Sequence, residues 1–184
     1  MKILGISGSL RTGSYNTRLL SSAAAGLEKP HSLELYSLED IPFYNEDLEN
    51  DSRPATVQNL LDAIDAADAL LFATPEYNHS VPGVLKNAID WASRPAFNCV
   101  LGGKPTGILS AAMSPVGGAR GQMHLKEVLC STLTPLYPAP DYLLPLAQNA
   151  FDSDGKLTDE TATRRLRRYV MGLIDWAGGL LDKA

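Results

Sequence analysis

The stretch Ala69–Thr74, ALLFAT, is apolar until its last residue and is closed by Pro75. Six residues are short for a helix, and an apolar run without alternation suits a strand covered on both faces. Such a strand demands helices above and below it, and the rest of the chain supplies them. Short apolar stretches at Ile3–Ser7, Ser32–Tyr36, residues 104–112 (KPTGILSAA) and residues 132–138 (TLTPLYP) read as further strands. Helical spacing runs from about Tyr15 to Leu27, then from Pro54 onward through Val57, Leu60, Leu61 and Ile64. It returns over residues 81–93 and over Ala119–Ser131. A last helix, about Thr158 to Leu181, has Asp159 and Glu160 in its first turn and turns Leu166, Val170, Leu173 and Ala177 inward. Strand and helix alternate throughout, which predicts an α/β fold: a doubly wound, five-stranded parallel sheet with helices on both faces, in a single domain over residues 1–184. The acidic, turn-rich segment LEDIPFYNEDLENDSRP (residues 38–54) is expected to be a loop.

Charge and composition narrow the function. A formal net charge of −5 disfavours nucleic acid and anionic membrane as partners, since both attract a basic face. No apolar run approaches the ~18 residues of a membrane span, and MKILGIS is too short an apolar stretch for a secretory leader. A soluble, cytoplasmic protein is expected. Cys99 and Cys130 form no metal or redox motif and read as reduced, buried small hydrophobes. His31, His79 and His124 lack metal-ligand spacing, so no metal site is expected. Trp91 and Trp176 read as packing residues, and TRRLRR, including Arg164 to Arg168, as the solvated face of the last helix.

In a doubly wound sheet, ligands bind beyond the carboxyl ends of the strands where the strand order reverses. The loops after the first, third and fourth strands hold the least ordinary residues. In SGSLRTGSYN (residues 7–16), small residues let successive N–H groups converge before a helix N-terminus; Ser9, Ser14 and Asn16 add donors and Arg11 a full charge. There is no lysine for nucleotide hydrolysis, Gly5, Gly8 and Gly13 are wrongly spaced for a pyrophosphate, and no cysteine is present to attack a phosphate. What fits is a terminal monophosphate, bound and not cleaved; the plainer reading is a turn in which Ser14 caps the helix. In TPEYNHS (residues 74–80), Asn78 offers donor and acceptor to the edge of a flat heterocycle and Tyr77 a wall; alternatively Asn78 or Ser80 caps the next helix. In SAAMSPVGGARGQ (residues 110–122), Ser114 and Gly117-Gly118 precede a helix whose positive end would favour negative charge on a nearby ring; otherwise the segment is a flexible connection.

GSLRTGSYN, PEYNHSVPGVLKNAIDWASR and GGARGQ, in this order, resemble the NADPH-dependent FMN reductase family, which includes bacterial chromate, quinone and azo-dye reductases. The resemblance implies a flavodoxin-like sheet of order 2-1-3-4-5 and FMN as cofactor. It assigns the phosphate to Ser9, Arg11, Ser14 and Asn16 with the backbone of Leu10 and Tyr15, and the ring to Pro75, Glu76, Tyr77 and Asn78, with Ser114, Gly117 and Gly118 on a third side. NADPH or NADH would be the electron donor. A small-molecule acceptor (a quinone, azo compound, ferric chelate, chromate or free flavin) would follow in an alternating half-reaction, with no side chain acting as catalytic acid or base. It further implies a homodimer or homotetramer, often through the helix after PEYN. His79 stands where several family members carry tyrosine, and Met123 where some carry an aromatic residue. Arg94 follows that helix near the expected crevice, and contact with a substrate or a nicotinamide phosphate is only the minor reading of its position. The reading from another class is a non-catalytic electron carrier or redox sensor like a flavodoxin.

Overall fold

The computed structural model describes residues 1–49 and 52–182; residues 50 and 51 of the expected loop lie outside the described residues. The strands are β1 (Lys2–Ser7), β2 (Ser32–Tyr36), β3 (Ala69–Ala73), β4 (Thr106–Ala111) and β5 (Tyr142–Leu144), and the helices α1 (Tyr15–Ala25), α2 (Ala55–Asp65), α3 (Gly83–Ala92), α4 (Ala119–Cys130) and α5 (Glu160–Leu181). The strands form one parallel sheet in the order β2-β1-β3-β4-β5. Every residue of β3 and β4 is buried, whereas edge strand β2 buries one of five, as expected where helices cover the centre more fully than the rim.

The sheet divides the core in two. Ile3, Ala69, Leu71 and Ala73 face α1 and α5, packing with Leu19, Leu20, Leu166, Val170 and Leu173. Leu4, Ile6, Leu70 and Phe72 face the other way, onto Val57, Leu60, Ile64, Leu85, Ile89, Trp91, Leu125 and Leu129 from α2, α3 and α4. The period-two alternation of a strand thus serves two apolar layers, each fully buried Leu or Ile contributing about 1.5–3 kcal/mol. Gly107 lets α5 approach the sheet: a Cβ there would lie 2.9 Å from Leu173 Cδ2.

Three expectations and one minor reading are corrected. The fifth strand is Tyr142–Leu144, paired with Leu109–Ala111, and not residues 132–138. Pro135 and Pro138 have no N–H to donate, so that segment makes only a single bridge, Leu136 to Thr106, before the chain turns out and returns. Cys99 is half-buried, but Cys130, at the end of α4, is exposed. Arg165 is not solvated like Arg164, Arg167 and Arg168; its guanidinium lies 5.1 Å from the Tyr142 ring centroid. Arg94 ends up away from the crevice, because α3 runs from loop two toward the opposite end of the sheet. There it pairs with Glu49 at 3.5 Å and covers the Tyr44 ring. Trp91 does pack: it is 1% exposed, and its Nε1 donates to Pro42 O while Asn87 grips Pro42 O and Tyr44 N–H, which fixes residues 42–44 on α3. No helix among the described residues is long and apolar enough to cross a membrane.

Candidate functional site

The strand order reverses between β1 and β3, since β1 continues outward to β2 and β3 to β4. Gly8 N–H donates to Ala73 O at 2.9 Å at that point, and a Cβ on Gly8 would lie 3.1 Å from Leu85 and 3.3 Å from Pro75. Loops one and two therefore touch at the head of the reversal, with room for backbone only.

Loop one is an ordered nest. Arg11 N–H bonds Ser9 Oγ, Ser14 N–H bonds Arg11 O, and Ser14 caps α1 by accepting from Thr17 N–H at 3.4 Å. Thr17 Oγ1 donates to Ser7 Oγ at 2.9 Å, tying the helix to the strand behind the loop. Among the described residues the N–H groups of Leu10, Thr12, Gly13, Tyr15 and Asn16 have no acceptor. Arg11 and Arg18 stand over Tyr15, 5.5 and 5.9 Å from its ring centroid, and among the described residues neither pairs with a carboxylate. Tyr15 stacks on Phe151. A cleft of about 350 Å³ opens here, lined by residues 9–14, Ser7, Thr17, Arg18 and the end of β2.

Asn16 does something other than expected. It is 3% exposed, and its carboxamide accepts from Ala111 N–H and donates to Ala111 O, both at 2.9 Å. The side chain is committed to β4, so what Asn16 offers an anion is its backbone N–H.

Loop two is a hairpin. Tyr77 and Ser80 exchange backbone bonds at 3.1 and 3.0 Å around Asn78 (φ 51°) and His79 (φ 65°), a two-residue turn with both central residues left-handed. Asn78 and Ser80 therefore do not cap α3, whose N-cap is Pro82. Asn78 and the half-exposed Tyr77 stand in the open; Pro75 and Glu76 lie deeper. The Glu76 carboxylate is also committed: Oε1 accepts from Arg120 Nε at 2.8 Å, and Oε2 from the N–H of Arg120 at 3.0 Å and of Gly121 at 3.3 Å. Burial pushes this carboxyl upward, but the Arg120 hydrogen bond and the two backbone N–H groups outweigh it and hold it below the ordinary carboxylate value. His124 Nδ1 and Ser80 Oγ, 3.0 Å apart, form a second tie between the same elements.

Loop three turns on Gly117 (φ 66°) and Gly118 (φ 86°), both buried, while Ser114 is exposed. Ser110 Oγ donates to Gly117 O at 2.5 Å and accepts from Gln122 Nε2 at 2.8 Å; the same nitrogen donates to Tyr142 O at 2.8 Å. The segment is braced rather than flexible. The expected free positive end of α4 is corrected, because Glu76 already neutralises its first turn. The ties missed from sequence, Glu76–Arg120 and Ser110–Gln122, join residues 44 and 12 positions apart, and only the glutamine's place inside a helix beside two glycines hints at the second.

The sequence matches the NADPH-dependent FMN reductase family over residues 1–148. It is 46% identical over 176 residues to the NAD(P)H-dependent FMN reductase PA1204 of Pseudomonas aeruginosa, covering 96% of this chain and 95% of that protein. It is 40% identical to an NAD(P)H:quinone oxidoreductase of Solanum tuberosum, covering 94% and 91%. Among solved structures, the flavoenzyme NAD(P)H:(acceptor) oxidoreductase FerB of Paracoccus denitrificans superposes with a TM-score of 0.88 at 35% identity, covering 97% of each chain.

Proposed function

This chain belongs to the NADPH-dependent FMN reductase family, and from that premise we propose that it is an FMN-dependent NAD(P)H oxidoreductase whose acceptor is a quinone. The observation that carries the reading is the meeting of an anion nest after β1 with two braced loops after β3 and β4 at the reversal of strand order. The residues fit the cofactor. Five N–H groups and an Arg11 that pairs with no carboxylate among the described residues, without lysine, suit a terminal phosphate that is held and not transferred. Bound FMN supplies hydride acceptance and electron delivery, which no side chain here needs to provide.

The chain's own groups bind and orient. Ser9 and Ser14 shape the nest, and Leu10, Tyr15 and Asn16 contribute backbone. Pro75, Tyr77, Asn78, Gly117 and Gly118 line the ring side; Ser114 lies at its rim, and Glu76 serves by holding loop two to α4. Leu10, Tyr77, Met113, Val116 and Leu146 are all exposed on these loops or beside them, Leu146 through its N–H bond to Ser114 O. An apolar rim of this kind receives a flat, apolar acceptor better than chromate or a ferric chelate, so quinones rank first and azo compounds and free flavin next. The NAD(P)H dependence of the relatives sets the electron-carrier reading aside. A homodimer or homotetramer through the α3 side accounts for Phe43 and Phe97, 88% and 82% exposed beside that helix.

The test is an anaerobic spectrum of the FMN-loaded protein. The flavin band should bleach on adding NADPH or NADH and return on adding 1,4-benzoquinone. A band that stays oxidised with both nucleotides would overturn the proposal.

A further inference from the structure

We infer that Gln122 is a positioning residue of the crevice: through Ser110 it locks the Gly117–Gly118 peptide so that the Gly118 N–H is presented to an acceptor on the bound ring. This rests on the flavin reading above. In a trans peptide the carbonyl and the following N–H point to opposite sides. Gly117 O is held by Ser110 Oγ at 2.5 Å, so Gly118 N–H points away from Ser110, and among the described residues it has no acceptor. Gly118 is buried, and buried backbone N–H groups without an acceptor are rare. A ligand acceptor resolves the imbalance.

Ser110 cannot hold that orientation unaided. Its hydroxyl needs a donor behind it to stay aimed at Gly117 O, and Gln122 Nε2 is that donor, itself fixed by Tyr142 O. Residue 118 must be glycine for this approach: a Cβ there would stand 2.9 Å from Ser110 Cβ and 3.0 Å from its Oγ. Gln122 is 0% exposed, and its Oε1 is buried with no partner. A half-used amide in a core is not what packing selects, since a methionine fills the same volume without an orphan oxygen. What the amide supplies here is its two donor bonds, to Ser110 Oγ and Tyr142 O.

The test compares Gln122→Met, Ser110→Ala and the double variant with the wild type by fluorescence titration of apoprotein with FMN, and by the reduction potential of the loaded protein. Each single variant should raise the FMN Kd about tenfold and shift the potential negative, because a lost N–H donor penalises the electron-rich state most. The double variant should be no worse than either single one, as expected of one relay. Leu129→Ala, buried farther along α4, should lower Tm while leaving Kd within about twofold and the potential unchanged, which separates positioning from general loosening. Wild-type Kd and potential in Gln122→Met, or strictly additive losses, would overturn the inference. If Gln122→Met does not fold, Ser110→Ala decides by the same criteria. A wild type that binds no FMN would instead overturn the flavin reading itself.

Discussion

Glu76 of loop two and Arg120 in the first turn of α4 are tied directly: the carboxylate takes the guanidinium on one oxygen and the N–H groups of Arg120 and Gly121 on the other. One side chain thus caps α4 and fixes the entry to the loop-two hairpin. The Glu76 side chain is 11% exposed and that of Arg120 46%, so solvent screens the pair from one side only.

Glu76→Gln should therefore cost about 1 kcal/mol of stability near neutral pH, read by urea unfolding, through lost charge rather than lost shape. Because the folded carboxyl titrates below its unfolded value, its contribution is complete above that unfolded value and disappears as pH falls through the folded one. The difference in stability between wild type and Glu76→Gln should accordingly shrink below about pH 4.5. A difference that is constant from pH 7 to pH 3 would contradict the assignment.

Asn16 offers a test of bracing against binding. Asn16→Leu removes both partners of the Ala111 peptide groups and leaves them buried, which should cost roughly 2–3 kcal/mol in urea unfolding. Asn16→Asp keeps the acceptor and loses the donor, and should fall between. If Asn16→Leu instead unfolds like wild type while FMN binding collapses, the carboxamide serves the ligand and not the sheet.

These two residues mark where the sequence stops being legible. The parallel sheet follows from ALLFAT, because an unbroken apolar run constrains both faces of a strand at once. The nest after β1 follows from small residues before a helix. The jobs of Asn16 and Glu76 depend on partners 95 and 44 positions away, and no local pattern encodes such a pairing. TLTPLYP failed for a different reason: it is a short apolar stretch like the true strands, but its two prolines removed the donors a ladder needs.

Arg11→Ala should raise the Kd of FMN about tenfold and that of riboflavin less than twofold, because only FMN carries the phosphate that the exposed guanidinium can meet. The FMN loss should narrow as salt rises, since the charge is at the surface. Equal losses for both flavins would place Arg11 against the ring instead.

The hairpin tip supplies the last test. Asn78 and His79 both hold positive φ, which asparagine tolerates, histidine accepts at some cost, and a β-branched residue resists. His79→Gly should leave the turn in place and raise stability by a few tenths of a kcal/mol. His79→Val should lower it by about 1–2 kcal/mol and, by opening the Tyr77–Ser80 pair, weaken FMN binding several-fold. Titrating both variants with FMN separates geometry from chemistry: if the imidazole itself meets the ligand, glycine and valine will weaken binding alike, whereas a purely conformational role predicts loss with valine alone.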